Sequence, residues 1–93
     1  MKSLEIISVR TPVSLDPHVK EDLCAICREV KESHEAEADV YTSGDVPGDL
    51  AVILLWRGIS LKGEKSKLGQ MLSTALKRFG LVDHVVWVTT EKG

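Results

Sequence analysis

The chain has 93 residues, of which 43% are hydrophobic and 28% are charged, and its formal net charge is −2. This length predicts one domain, residues 1–93, with a small core, while the mixed charges lack the basic field that nucleic-acid binding needs. No apolar run approaches the roughly 18 to 20 residues that span a bilayer, and Met1–Glu5 lacks the apolar segment of a signal peptide. We therefore expect a cytoplasmic protein with neither nucleic acid nor membrane as a partner.

Hydrophobic periodicity predicts six elements in the order strand, helix, strand, strand, helix, strand. The predicted segments are residues 4–10, 17–33, 35–42, 50–56, 68–79 and 82–88. Asp16 before Pro17 is a signal for the start of the first helix. Gly80 after Lys77 and Arg78 is a signal for the end of the second helix.

This order predicts an α+β ferredoxin-like βαββαβ plait, a four-stranded antiparallel sheet with strand order 4-1-3-2 and both helices on one face. The strand at residues 35–42 alternates between apolar and polar residues and is predicted to be an edge strand. The strands at residues 50–56 and 82–88 are apolar on both sides, so the uncovered face would expose too much apolar surface for a monomer. We therefore predict a homodimer.

Two segments resemble ligand-binding loops but depart from the pattern that each loop needs. Gly58–Ser66 misses the P-loop pattern because Glu64 separates the second glycine from the lysine, so we interpret the segment as a solvated connection. Asp45–Leu50 resembles the ligand loop of the ACT domains. In those domains the loop stands between strand 1 and helix 1, whereas here a strand follows it, which favours a hairpin turn.

Cys24 and Cys27 have the spacing of a redox pair but lie two turns inside the first helix, away from its N-terminus, and are interpreted as small packing residues. A zinc site would need two more ligands, and His34 alone does not complete one, so no metal site is predicted. The acidic residues around His34 are interpreted as a solvated edge. The alternative is a polar patch that includes Tyr41 inside a cavity.

His84 shares a strand face with three valines, and because histidine as a residue type ordinarily exchanges protons near neutral pH, it is the best candidate for proton transfer. The alternative is a histidine whose hydrogen bonds are satisfied within the core. Trp56 and Trp87 are interpreted as core residues, with the wall of an aromatic ligand pocket as the alternative.

The order of elements, the apolar run ending at Trp56 and the segment Gly80–Trp87 resemble the dimeric α+β barrel superfamily, in particular its antibiotic biosynthesis monooxygenase branch. The resemblance spans nearly the whole chain and rests on pattern, without a diagnostic motif. It implies that two plaits pair their open faces into a barrel, with a cavity between sheet and helices in each subunit. Some members oxidise aromatic quinols without metal or flavin. The haem-degrading members use an Asn, a Trp and a His; this chain has no asparagine, so haem degradation is not expected.

The resulting hypothesis is a homodimer that binds a small organic molecule, with cofactor-independent monooxygenation of an aromatic or enolic substrate as its candidate activity. In this hypothesis Arg10 and His84 orient or deprotonate an acidic substrate, and Tyr41 and Trp56 line the cavity. The alternative is a non-catalytic ligand-sensing or protein-interaction module, and a third possibility is an assembly domain without a ligand. A pocket that contains His84 or Arg10 would favour the enzyme, and a filled core would favour the others.

Overall fold

Six elements form one antiparallel sheet with two helices in a computed structural model that describes residues 2–11, 17–33, 36–46, 48–57 and 64–89. The elements are β1 (Lys2–Arg10), α1 (Pro17–Glu32), β2 (Glu37–Thr42), β3 (Leu50–Arg57), α2 (Lys67–Leu76) and β4 (Leu81–Val88). The strand order is β2-β3-β1-β4, with every neighbouring pair antiparallel. The predicted α+β ferredoxin-like plait, its strand order and the edge position of β2 are therefore confirmed.

Strand alternation assigns each side chain to one of two faces of the sheet. Along β1 the odd-numbered residues from Ser3 to Val9 are buried, and along β3 the even-numbered residues from Leu50 to Trp56 are buried. These side chains form one core with the apolar sides of both helices, so α1 and α2 lie on the same face. The buried apolar residues are Ile7, Val9, Leu23, Cys27, Val30, Ala36, Ala38, Leu50, Val52, Leu54, Trp56, Leu72 and Leu76.

The opposite face of the sheet, here called the open face, is not covered by either described helix. Its centre is apolar, and its apolar residues are Leu4, Ile6, Ala51, Ile53, Leu55, Leu81, Val85 and Trp87. Trp87 pairs with Leu4 across the sheet and is 64% exposed, so its interpretation as a core residue was wrong. Trp56 is buried, because it lies with the even-numbered residues of β3 on the face that the helices cover.

α2 ends one turn earlier than the sequence predicts. Its last helical residue is Leu76, and Lys77 is its C-cap, so the predicted positions of Lys77 and Arg78 inside the last turn were wrong. Gly80 is not required as a left-handed helix cap. It is required because a Cβ at this position would collide with the backbone carbonyl oxygen of Arg10.

The connection between β2 and β3 is a hairpin, as predicted. The backbone N–H of Ser43 donates to the carbonyl of Asp49 at 3.0 Å, and Gly48 takes a positive φ of 96° that a glycine adopts without strain. Several sequence features lie outside the described residues: Pro12, Asp16, His34, Glu35 and the P-loop-like residues 58–63. Neither described helix combines the length and the apolar character that crossing a membrane requires.

Candidate functional site

Glu5 is a fully buried carboxylate in the middle of β1. In the sheet it stands between Leu54 of β3 and Val86 of β4, on the face that the helices cover. Removing a charge from water costs several kcal/mol unless hydrogen bonds and opposite charges replace the lost solvent. The surroundings of Glu5 are therefore expected to be polar.

Three side chains and one backbone amide surround this carboxylate. Oε1 accepts hydrogen bonds from the indole Nε1 of Trp56 at 3.0 Å and from the hydroxyl of Ser66 at 2.6 Å. Oε2 accepts from the backbone N–H of Ser66 at 3.0 Å and lies 2.6 Å from Nε2 of His84. We call Glu5, Trp56, Ser66 and His84 the Glu5 cluster. A carboxylate offers about four lone-pair positions, and these four contacts use them.

The N-terminus of α2 is built onto the Glu5 cluster. Ser66 is the N-cap residue: its hydroxyl accepts from the backbone N–H of Gly69 at 2.9 Å and donates to Glu5. A carboxylate at this position also meets the positive end of the helix dipole. Gly69 faces the same site, since a Cβ there would collide with the Glu5 carboxylate and lie 2.8 Å from Nε2 of His84.

Burial by itself raises the pKa of Glu5, because it disfavours the charged carboxylate. The hydrogen bonds from Ser66, His84 and Trp56 act in the opposite direction, and together they leave the pKa of Glu5 below its usual range. Glu5 is therefore an anion at neutral pH. Its pKa is too low and its lone pairs are too fully used for Glu5 itself to serve as a general base.

A second polar region lies on the open face, at the end of the sheet where β1 and β2 end and β3 and β4 begin. It is a cleft of about 510 Å³. Its lining is formed by Ser8, Val9, Arg10, Tyr41, Thr42, Ser43, Asp49, Leu50, Ala51, Leu81, Val82 and Asp83. Nε of Arg10 lies 3.5 Å from Oδ2 of Asp49. The other oxygen, Oδ1 of Asp49, is buried and has no hydrogen-bond partner in the part of the chain that the structure describes.

The sheet separates the four candidate site residues into two pairs. His84 and Trp56 meet at Glu5 on the helix-covered face, whereas Arg10 and Tyr41 line the cleft on the open face. Register explains the separation: Arg10 stands opposite Leu81, and His84 stands opposite Ile7, which has the other parity on β1. Arg10 and His84 are therefore not brought together around one substrate position.

Sequence reasoning missed Glu5, Ser66 and Gly69 as members of the site. Each carried a signal: Glu5 has the same strand parity as the core residue Ile7, Ser66 precedes an apolar helical pattern, and Gly69 interrupts a helix. A charged residue in a strand is usually exposed to solvent, so the charge of Glu5 counted against burial although its strand parity indicated burial.

The two cysteines differ in their surroundings. Cys27 is buried in the core, as the packing interpretation predicts, but Cys24 is exposed, so that interpretation was wrong for Cys24. Burial raises the pKa of Cys27, and the neighbouring Cys24 and Asp39 add to this effect, so the reactive thiolate is disfavoured. Across the described ranges, no group of three or more His, Cys, Asp and Glu side chains is arranged to hold a metal ion.

Comparison with known proteins assigns no relative to this chain. No protein-family model matches it, and neither the curated proteins nor the solved structures give a match.

Proposed function

We propose that this protein is a homodimer of the dimeric α+β barrel type that binds a small organic molecule in the open-face cleft. The observation that carries the proposal is the position of this cleft, about 510 Å³ in volume, at one end of an apolar sheet face that no described helix covers. Pockets for small molecules usually measure roughly 300 to 1,000 Å³ and combine apolar walls with a few polar groups. The cleft meets both conditions.

The polar groups of the cleft favour a neutral, hydroxyl-bearing ligand over an acid. Arg10 is the one cation among the described lining residues, and it already faces Asp49, while Asp83 adds a second carboxylate. The hydroxyl of Ser8 and the carboxylate of Asp83, which also line the cleft, can accept hydrogen bonds from a ligand hydroxyl. The ring of Tyr41, which is 51% exposed, offers a surface against which an aromatic ligand can pack. A quinol or an enol has this combination of groups.

A second copy of the chain is the occupant that best fits the apolar centre of the open face. Four strands spaced about 4.8 Å apart, each roughly eight residues long at about 3.3 Å per residue, present roughly 500 Å² in flat projection. Two such faces amount to roughly 1,000 Å², and projecting side chains increase the accessible area. Paired open faces would thus reach the ~1,200 Å² at which stable interfaces begin. The cleft at the end of the face would then be partly roofed by the partner subunit.

Trp87→Glu is expected to convert the dimer into a monomer, because it replaces a large exposed apolar side chain of the proposed interface with a charge. Met71→Glu is the matched control, since Met71 is 56% exposed on α2, away from the open face. Light scattering at tens of micromolar should give a dimer mass for the wild type and for Met71→Glu, and a monomer mass for Trp87→Glu. A monomeric wild-type protein would reject the proposed assembly.

A second candidate function, cofactor-independent oxygenation, is favoured by the contact between His84 and the buried Glu5 carboxylate. In this reaction the imidazole takes a proton from a quinol or enol, and the resulting carbanion forms a C–O bond with dioxygen. The hydroperoxide then eliminates water and leaves a carbonyl group on the substrate. The substrate loses two hydrogens, one from its hydroxyl as the proton that the imidazole takes and one from the carbon that is oxygenated. It supplies all four electrons, so no further reductant takes part. This candidate uses the helix-covered face and is therefore a site separate from the cleft.

One experiment with naphthalene-1,4-diol and related quinols distinguishes the two candidates. Binding in the cleft should shift the backbone NMR signals of Ser8 and Asp83, and Tyr41→Ala should weaken that binding. Oxygenation should give oxygen uptake above the uncatalysed rate without added metal or flavin. His84→Gln, which keeps an N–H donor for Glu5 but lacks a base, should reduce this uptake by ~10²- to 10⁴-fold.

The outcomes separate three functions. If the NMR signals of the cleft residues shift but no oxygen is taken up, a ligand-binding module is supported and the oxygenase candidate is overturned. Uptake that is lost in His84→Gln supports the oxygenase, whereas uptake that His84→Gln leaves unchanged means that His84 is not the base. If no quinol binds in the cleft and none gives oxygen uptake, both candidates are overturned and a protein-interaction module is favoured.

A further inference from the structure

We propose that Glu5 is a positioning residue that fixes the His84 imidazole as its Nε2–H tautomer, so that Nδ1 is the atom that takes a proton from a substrate. This inference rests on the oxygenase candidate for the identity of the substrate. The tautomer itself follows from the hydrogen bonds of the cluster.

The direction of the hydrogen bond between His84 and Glu5 is set by the carboxylate. An ionised carboxylate only accepts hydrogen bonds, so Nε2 of His84, 2.6 Å from Oε2, has to carry a hydrogen. A neutral imidazole has one N–H and one lone pair, and with the hydrogen on Nε2 the lone pair is on Nδ1. The opposite tautomer would place two lone pairs against each other inside the core.

The carboxylate is held firmly enough to impose this orientation. Its two oxygens are bound by Trp56 from β3 and by Ser66 from the start of α2, so groups on two elements fix the plane of the carboxylate. The side chain of Glu5 is completely buried, and that of His84 is only 5% exposed. Water therefore competes little for Nε2, and the contact between Nε2 and Oε2 remains in place.

The same contact supports proton transfer to Nδ1. When Nδ1 takes a proton, the imidazole becomes a cation, and a carboxylate on Nε2 stabilises that cation in a region of low dielectric. The net charge of the pair formed by Glu5 and His84 then changes from −1 to zero. Glu5 keeps its own charge throughout and touches no substrate, so it acts only through His84.

A structural role for the cluster is the competing explanation, since Glu5 also anchors the N-terminus of α2 through Ser66. An anchoring role needs the carboxylate but says nothing about which nitrogen of His84 reacts. The tautomer is therefore the measurement that separates the two roles, and it needs no substrate.

The test is long-range ¹H–¹⁵N NMR of histidine-labelled wild-type protein, at a pH where His84 is neutral. The expected pattern is a protonated Nε2 and a pyridine-like Nδ1 for His84. An Nδ1–H pattern in the folded wild type overturns the inference, and this result does not depend on any variant. In Glu5→Ala the acceptor for Nε2 is absent, so the population should move toward Nδ1–H. An unchanged pattern in a folded Glu5→Ala would mean that Glu5 does not set the tautomer, and would overturn the inference.

Kinetics separates this inference from the oxygenase candidate. Where a quinol is turned over, Glu5→Gln should lower kcat by ~10²-fold or more with little change in KM, because the substrate does not touch Glu5. If a quinol is turned over while His84 is the Nδ1–H tautomer, the oxygenase candidate is supported and the positioning role of Glu5 is overturned. An Nε2–H tautomer without turnover of any quinol keeps the tautomer assignment and overturns the role of Nδ1 as the base.

Discussion

Replacing Glu5 by alanine is expected to lower the free energy of unfolding by about 3 to 5 kcal/mol, because it leaves several buried hydrogen-bond donors unsatisfied, each at a cost of about 1 to 3 kcal/mol. The substitution leaves the indole N–H of Trp56, the backbone N–H of Ser66 and Nε2 of His84 without their acceptor. It also removes the anion from the N-terminus of α2. Urea unfolding followed by circular dichroism measures the loss.

Glu37→Ala is the matched control for this experiment, because it removes a glutamate that is also paired with a side chain from β3. Glu37 pairs with Arg57, but both side chains are 57% exposed, and exposed pairs contribute only about 0 to 1 kcal/mol. A Glu5→Ala variant that is no less stable than Glu37→Ala would mean that the buried cluster does not stabilise the fold.

The contribution of Glu5 to stability should depend on pH in a defined direction. Because the pKa of Glu5 is lower in the folded chain than its ordinary value of 4.5, folding favours the ionised carboxylate. The stabilisation is complete above pH 4.5 and is lost as the pH falls through the lowered folded-state pKa. Glu5→Gln carries no titratable group there, so the stability gap between wild type and Glu5→Gln should narrow in acid. A gap that widens below pH 4.5 would contradict the lowered pKa.

Most of the architecture could be predicted from the sequence because the elements differ in period. β3 reads as a continuous apolar run, β2 alternates, and α2 repeats at helical spacing, so element type and order were confirmed. The end of α2 was less predictable. Phe79 continues the helical spacing and contacts the core, but its backbone N–H bonds to the carbonyl of Leu76 in a turn instead of continuing the helix.

The site was harder to predict, because strand parity shows which residues share a face but not which face the helices cover. Parity placed His84 with the valines of β4, and that grouping holds. Without the register between β1 and β4, nothing in the sequence placed Arg10 and His84 on opposite sides of the sheet. The burial of Glu5 depends on Trp56 and Ser66, which lie more than fifty residues away along the chain. Such non-local partners leave no local pattern.

Gly69 is the residue whose replacement most directly tests how tightly α2 packs on the Glu5 cluster. In an ordinary helix interior, replacing Gly by Ala stabilises by about 1 kcal/mol, because alanine has the higher helix propensity. Here the new Cβ would collide with the Glu5 carboxylate, close to Nε2 of His84. Overpacking of a filled interior costs roughly 1 to 3 kcal/mol, so Gly69→Ala should destabilise the protein where propensity alone predicts a gain.

The carboxylate cannot move aside cheaply, since its four hydrogen bonds all come from groups on the sheet and at the start of α2. Gly44→Ala provides a control with the same chemical change, because no atom lies within 4 Å of a Cβ at Gly44; its stability should stay within about 0.5 kcal/mol of the wild type. A double-mutant cycle then identifies the cause. In a Glu5→Ala background the carboxylate is absent and only the 2.8 Å approach to Nε2 of His84 remains, so Gly69→Ala should destabilise much less, and the two substitutions should be strongly non-additive. If Gly69→Ala stabilises the wild-type chain, or if the two effects simply add, the first turn of α2 does not rest against the carboxylate of Glu5.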